Sequence, residues 1–103
     1  MKKIIILGST GSIGKQTLAI LKKDRKKIKV VLLSTDKNIN LLSKQIKYFN
    51  VKNVVVSNKK KYEILKKKLK SINILPNFND IDKKIKEKAD YTMSAISGLE
   101  GLK

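Results

Sequence analysis

The sequence contains no cysteine and no histidine. Within these 103 residues, the two absences exclude disulfides, thiolate nucleophiles and metal sites built from cysteine or histidine. Carboxylates are also few, since only eight are present and they are scattered apart from Asp80 and Asp82. A metal ion bound here would need oxygen ligands, and no paired-carboxylate site is indicated. We therefore expect no metal ligand in this chain.

The chain also lacks a long hydrophobic run. The run nearest the amino terminus covers only residues 4–7 and is ended by Gly8 and Ser9. A secretion signal needs roughly 7–15 apolar residues, and a membrane span needs roughly 18. Hydrophobic residues nevertheless make up 41% of the sequence, which is typical of a globular domain. We expect one cytoplasmic domain with no membrane partner.

Aromatic residues make up only 5% of the chain, whereas the net charge is +17. Such a charge favours polyanions, so a basic nucleic-acid-binding module is one hypothesis. However, every basic residue except Arg25 is a lysine, and nucleic-acid readers usually rely on arginine forks and stacked aromatic rings. The chain is also rich in isoleucine and asparagine, so a general compositional drift explains much of the charge. We expect no specific nucleic-acid partner.

Apolar, β-branched runs alternate with helical patterns along the chain. Strands are predicted at residues 2–8, 28–35, 53–57, 72–75 and 90–96, and helices at 13–21, 39–49, 59–70 and 80–88. The apolar faces of these helices are predicted to comprise Ile13, Thr17, Ile20 and Leu21; Ile39, Leu42, Ile46 and Phe49; Tyr62, Leu65 and Leu69; and Ile81 and Ile85. Strict alternation predicts an α/β fold, Rossmann-like and doubly wound, with a mainly parallel sheet. We expect the sheet to be truncated after the fifth or sixth strand, because a complete domain of this class continues further.

The clearest motif is Gly-x-x-Gly-x-x-Gly at Gly8, Gly11 and Gly14, between a predicted strand and a predicted helix. The first glycine permits a tight turn, the second lets the backbone approach a pyrophosphate, and the third lets the helix pack closely on the strand. Backbone N–H groups at the helix start bind phosphates, and the hydroxyls of Thr10 and Ser12 can add hydrogen bonds. The motif predicts a dinucleotide site, since a turn without a ligand would not need all three glycines.

The end of the second predicted strand carries Asp36, Lys37 and Asn38, where the adenosine ribose usually lies. A carboxylate at this place ordinarily bonds the ribose 2′-hydroxyl of NAD, whereas a cation suits the 2′-phosphate of NADP. Lys37 can equally be an ordinary surface lysine, and Asp36 and Asn38 can cap the next helix. The strongly positive surroundings favour NADP.

A third segment, Thr92–Gly98, contains small residues at the end of a strand that we expect to be central. Small side chains there leave space beside the nicotinamide half of a cofactor. Small side chains also suit close packing of the strand end, so this segment alone does not distinguish a cofactor site from ordinary packing.

Together the three segments resemble the 1-deoxy-D-xylulose 5-phosphate reductoisomerase family. The run Ile-Leu-Gly-Ser-Thr-Gly-Ser-Ile-Gly from residue 6, followed by Thr17-Leu18, is similar to the opening of that family. Lys37-Asn38 fits its NADPH-binding turn, and Ala95-Ile96-Ser97-Gly98 with Gly101-Leu102 is similar to the stretch that closes this part of its nucleotide domain. Other NADP-dependent reductases or dehydrogenases with a Gly-x-Thr-Gly turn lack the later segments and are the alternative.

The resemblance implies that NADPH is contacted by Thr10, Gly11, Ser12, Ile13, Lys37 and Asn38. Our full candidate set for cofactor binding adds Gly8, Gly14, Ala95 and Ile96. Asp36 stands where many members have glycine or another small residue, so the chain departs from the family's pattern at that position.

The resemblance further implies that residues 1–103 are an incomplete NADPH-binding domain and are inactive alone. Members of the family are several times longer, and their catalytic and carboxy-terminal domains, their Mg or Mn site and their sugar-phosphate site lie in later segments. The family enzyme isomerises 1-deoxy-D-xylulose 5-phosphate and reduces it with NADPH to 2-C-methyl-D-erythritol 4-phosphate in isoprenoid biosynthesis. Members are expected to be homodimers.

Overall fold

The computed structural model describes residues 2–24, 26–79, 83 and 88–94. The strands are β1 (Lys2–Leu7), β2 (Ile28–Thr35), β3 (Asn53–Val56), β4 (Asn73–Leu75) and β5 (Tyr91–Ser94). The helices are α1 (Ser12–Leu21), α2 (Ile39–Phe49) and α3 (Lys59–Lys68), and a short 3-10 helix (Lys22–Asp24) follows α1. The predicted alternation is confirmed, although α3 ends two residues before Lys70. The predicted helix at 80–88 lies largely outside the described residues.

The strands form one parallel sheet in the order β4-β3-β2-β1-β5. The chain moves outward from β1 through β2 and β3 to β4, and then returns past β1 to β5. This reversal of direction is the feature that defines a doubly wound sheet, and ligands bind such sheets at the carboxyl ends of the strands near the reversal. The fold prediction is therefore confirmed, with β5 at the edge of the described sheet instead of at its centre.

Strands β1, β2 and β3 contribute buried residues to both faces of the sheet, as the unbroken apolar runs of β1 and β2 predict, whereas β5 is exposed. On one face, Ile4 and Ile6 pack with Leu18 of α1, Leu42 of α2 and Leu65 of α3 in a single buried cluster. On the other face a second buried cluster comprises Ile5, Val31, Leu32, Val55 and Leu75. Alternate residues of β1 thus lie on opposite faces of the sheet, which fixes the register of this strand.

An irregularity in the β1–β2 pairing explains why two consecutive residues of β2 share a face. The partner of Ile4 is Val30, but the partner of Ile5 is Leu32, so Val31 is an extra residue in the ladder. Val31 and Leu32 consequently both belong to the second cluster.

The predicted apolar face of α1 is only partly correct, since Leu21 packs against the core but two of the four predicted residues do not. Ile13 and Ile20 are 53% and 65% exposed, whereas Gly14 and Leu18 are buried. Successive residues of an α-helix are rotated by about 100° around the helix axis. The buried face, which contains Gly14 and Leu18, is therefore turned by about that angle from the face on which Ile13 lies. The cause is Gly14, the residue whose missing side chain allows contact with the strand, and this contact sets the rotation of the helix.

The predicted faces of the other two described helices are confirmed. Ile39, Leu42 and Ile46 are buried, and Phe49 packs against the same cluster. In α3, Leu65 is buried while Tyr62 and Leu69 pack partly against the core. The lysines of α3 lie on its exposed or half-exposed sides, in agreement with a solvated face.

Asn50, the residue that ends α2, has a left-handed backbone with φ 54° and ψ 48°. The turn allows the N–H of Val51 to donate to the carbonyl oxygen of Ile46 at 3.0 Å. We expect Asn50→Ala to lower the free energy of unfolding by about 1 kcal/mol, because a Cβ without a compensating polar group is unfavourable in this conformation. Asn50→Gly is the matched control and should cause no loss in urea unfolding. Equal stability of the two variants would contradict the left-handed turn.

Candidate cofactor site

The glycine turn joins β1 to α1 and depends on two of its glycines for its shape. Gly8 has a φ of 78°, a conformation that residues with a side chain rarely adopt. A Cβ on Gly14 would collide with the carbonyl oxygen of Gly8 and would lie 2.6 Å from the Cα of Ser9. These two observations confirm the tight turn and the close helix–strand contact predicted from the motif. Gly11, by contrast, is exposed and has an extended backbone, with φ −77° and ψ 175°.

A buried hydrogen-bond network fixes the start of this turn. Ser9 is fully buried, and its N–H donates to the carbonyl oxygen of Ser34 at 2.9 Å. The Oγ of Ser9 donates to Oε1 of Gln45 at 2.8 Å, and Nε2 of Gln45 donates back to the carbonyl oxygen of Ser9 at 2.9 Å. The N–H of Gly8 donates to the Oγ of Ser34 at 2.7 Å. The turn is therefore bonded to both β2 and α2.

The end of β2 also contacts the glycine turn through a hydrogen bond between two side chains. The hydroxyls of Thr10 and Thr35 lie 2.5 Å apart and share a hydrogen bond, and Thr35 is only 5% exposed. The structure thus brings together the first two segments that the sequence predicted for the site. The hydroxyl of Thr10, however, already makes this hydrogen bond within the protein, so it is not a free hydrogen-bond donor for a phosphate.

The first turn of α1 offers backbone donors to a ligand. The N-cap is Gly11, which has no side chain to accept from the following N–H groups, and the first turn contains no acidic residue. The first N–H groups of a helix have no partner within it, and they carry the positive end of its dipole. Ser12 and Ile13 are exposed at this helix end. The arrangement fits a pyrophosphate group, which needs donors and an approach free of side chains.

The segment after β2 is held at both ends by hydrogen bonds. Asn38 is the N-cap of α2, and its Oδ1 accepts from the N–H of Leu41 at 3.2 Å. Asp36 does not cap this helix, since its Oδ1 accepts from the Oγ of Ser57 at 2.8 Å. The capping role allowed for both residues is therefore correct for Asn38 and wrong for Asp36. Lys37 lies between them and is exposed.

The third predicted segment begins beside the glycine turn. Ser94, the last residue of β5, pairs with Leu7, which immediately precedes Gly8. Ala95 and Ile96 follow Ser94 in the sequence and lie outside the described residues. The described parts of the three predicted segments thus lie at or beside the carboxyl ends of three adjacent strands, β2, β1 and β5.

A protein-family model described as 1-deoxy-D-xylulose 5-phosphate reductoisomerase matches residues 4–103 of this chain. The chain belongs to the 1-deoxy-D-xylulose 5-phosphate reductoisomerase family. The reductoisomerase of Pelagibacter ubique is 48% identical over 107 residues, which cover 100% of this chain and 28% of that relative. The chain therefore spans little more than a quarter of that relative's length.

Solved reductoisomerase structures have the same fold. The enzyme from Zymomonas mobilis in complex with NADPH is 30% identical, with a TM-score of 0.82 over 98% of this chain and 27% of that one. A structure described as DOX-P reductoisomerase in complex with NADPH, fosmidomycin and magnesium has a TM-score of 0.84 at 27% identity. The match covers 99% of this chain and 26% of the chain in that structure.

Two further observations concern only the part of the chain that the structure describes. No helix there has the length and hydropathy needed to cross a membrane. No group of three or more acidic, histidine or cysteine side chains there is placed to bind a metal ion.

The sequence patterns did not identify the buried polar residues that support the candidate site in this member of the reductoisomerase family. Ser9, Ser34 and Gln45 are all buried, yet they stand among residues predicted to form a turn, a strand and a polar helix face. The available signal was weak: a glutamine one residue from the apolar stripe of α2, and a serine at the end of an otherwise apolar strand. Ser57 was also missed, because nothing local marks it as the partner of Asp36.

Proposed function

We propose that residues 1–103 bind NADPH as the nucleotide-binding part of a 1-deoxy-D-xylulose 5-phosphate reductoisomerase. The observation that carries the proposal is the glycine turn, bonded to the end of β2 and located at the carboxyl end of β1. It supplies uncapped N–H groups at the place where doubly wound sheets bind dinucleotides. The NADPH complexes of two related structures support the same ligand.

Seven of the ten candidate residues adjoin the cofactor in this proposal, while Gly8, Thr10 and Gly14 shape the turn. The N–H groups of Ser12 and Ile13 bind the pyrophosphate, while Gly11 leaves room for it. Lys37 and Asn38, after β2, bind the ribose and its 2′-phosphate. Ala95 and Ile96, after β5, adjoin the nicotinamide half, and NADPH when bound supplies a hydride.

The activity of the whole enzyme forms a wider part of the proposal. A full-length protein of this family would isomerise 1-deoxy-D-xylulose 5-phosphate and reduce it to 2-C-methyl-D-erythritol 4-phosphate. The related structure with magnesium and fosmidomycin supports a divalent metal there. The remaining three quarters of the relatives' length would supply the metal site, the sugar-phosphate site and the homodimer contacts, in a cytoplasmic enzyme. We expect residues 1–103 to be inactive alone.

The test is a titration of the purified 103-residue chain with NADPH, with NADH in parallel, followed by the fluorescence of the nicotinamide. About 0.15 M salt should be used to screen unspecific attraction by the positive chain. We expect saturable binding that prefers NADPH. Gly11→Val should weaken it by tenfold or more, roughly 1.4 kcal/mol, because its side chain enters the path of the pyrophosphate while the extended backbone accepts valine. Circular dichroism should show both proteins folded.

Absence of saturable binding by the folded, unsubstituted chain would overturn the proposal. A parallel titration with double-stranded DNA distinguishes the nucleic-acid alternative. Binding to DNA that disappears between low and moderate salt is counterion release, whereas binding that persists at moderate salt would favour that alternative.

A further inference from the structure

Asp36 directly precedes Lys37 and Asn38 of the candidate site, and its charge opposes the proposed ligand. A carboxylate at the end of the second strand normally accepts from the ribose 2′-hydroxyl of NAD and repels a 2′-phosphate. Here its Oδ1 accepts a hydrogen bond from the Oγ of Ser57 at 2.8 Å. Both residues are exposed, but a charge-assisted hydrogen bond is stronger than one between neutral groups, so this bond favours the carboxylate orientation in which Oδ1 faces Ser57.

The sheet order shows on which side of β2 the carboxylate lies. Ser57 directly follows β3, and the glycine turn directly follows β1, while β2 lies between these two strands. The hydrogen bond to Ser57 therefore draws the Asp36 side chain away from the glycine turn. Thr35, the preceding residue, bonds in the opposite direction, to Thr10 of the turn.

The backbone of the same loop reinforces this arrangement. The N–H of Asn58 donates to the carbonyl oxygen of Asp36 at 3.1 Å. The N–H of Ser57 donates to the carbonyl oxygen of Thr35, also at 3.1 Å. Asn58 in turn is the N-cap of α3, where its Oδ1 accepts from the N–H of Lys61 at 3.1 Å. The loop that carries Ser57 is thus anchored to both β2 and α3, and the Ser57 hydroxyl is presented from a fixed backbone.

We infer that Ser57 is a positioning residue that sets the preference for NADPH over NADH by holding the Asp36 carboxylate on the β3 side of β2. The inference rests on the proposed NADPH function. With the carboxylate held there, Lys37 and Asn38 are left to bind the 2′-phosphate. Without the serine hydroxyl, the carboxylate is free to turn toward the ribose, where it repels the phosphate and accepts from a 2′-hydroxyl.

The test measures the dissociation constants of NADPH and NADH for the 103-residue chain and four variants at about 0.15 M salt. In Ser57→Ala, we expect NADPH to bind more weakly and NADH more tightly, so that the preference for NADPH falls by about tenfold. Ser57→Thr keeps a hydroxyl and should retain the original preference. Asp36→Gly and the double variant Asp36→Gly/Ser57→Ala should have the same preference as each other, because the serine acts only through the carboxylate.

The outcomes separate this inference from the proposed function. If the unsubstituted chain binds NADPH but Ser57→Ala leaves the preference unchanged, the role of Ser57 is wrong and the cofactor site stands. If Ser57→Ala weakens both cofactors equally, the serine has only a structural role and the inference is again overturned. If the folded, unsubstituted chain binds neither cofactor, the proposed function and this inference fail together.

Discussion

Gly14→Ala should lower the free energy of unfolding by about 2–4 kcal/mol and abolish NADPH binding. The added Cβ would collide with the carbonyl oxygen of Gly8 and lie 2.6 and 2.7 Å from the Cα and carbonyl carbon of Ser9. All three neighbours are backbone atoms, so none can rotate away, and α1 must move off β1. Alanine is favoured over glycine inside a helix by about 1 kcal/mol, but that gain is smaller than the cost of the displacement.

Urea unfolding followed by circular dichroism measures the effect, and Gly11→Ala is the matched control. Gly11 is exposed and has an extended backbone that alanine adopts freely, so its unfolding free energy should change by less than about 1 kcal/mol. A Gly14→Ala variant as stable as the unsubstituted chain would show that α1 does not approach β1 as closely as described.

Gly14 also illustrates how local patterns can succeed and fail within one helix. The spacing of the glycines predicted the close contact, because only glycine permits it. The apolar residues Ile13 and Ile20 suggested a different buried face, and both are exposed in the described chain. Hydrophobic periodicity averages over a helix, whereas a single backbone contact fixes its rotation. The contact at Gly14, and not the average pattern, therefore decides which face of α1 is buried.

The strands were easier to predict than the site. Long apolar runs are characteristic of strands buried on both faces, and alternation with helices then implies a parallel sheet. The polar network is different, because Ser9 meets Ser34 and Gln45 across separations of 25 and 36 residues. No local pattern encodes such a pairing. It follows from the tertiary fold, which places β2 and α2 next to the turn after β1.

Gln45→Leu is expected to lower the free energy of unfolding by about 2 kcal/mol and to weaken NADPH binding. The substitution removes the donor to the Ser9 carbonyl oxygen at 2.9 Å and the acceptor for the Ser9 hydroxyl at 2.8 Å. Ser9 is fully buried, so water cannot replace either partner without rearrangement. Because Ser9 begins the glycine turn, the loss should also loosen the N–H groups proposed to bind the pyrophosphate.

Urea unfolding and NADPH titration of the same samples separate these two effects, with Gln16→Leu as the control. Gln16 is exposed on α1, so the same chemical change there should alter stability by less than about 0.5 kcal/mol. Gln45→Leu leaves the Ser9 hydroxyl with only its longer bond to the Ser34 carbonyl oxygen at 3.2 Å, and Ser9→Ala/Gln45→Leu removes that hydroxyl, so the loss in the double variant should be smaller than the sum of the single losses. The loss that remains in the double variant combines the unpaired carbonyl oxygen of Ser9, which no side-chain substitution removes, with the lost bond from the Ser9 hydroxyl to Ser34. If Gln45→Leu behaves like Gln16→Leu in both measurements, the network is not what orders the turn, and the glycines alone fix its shape.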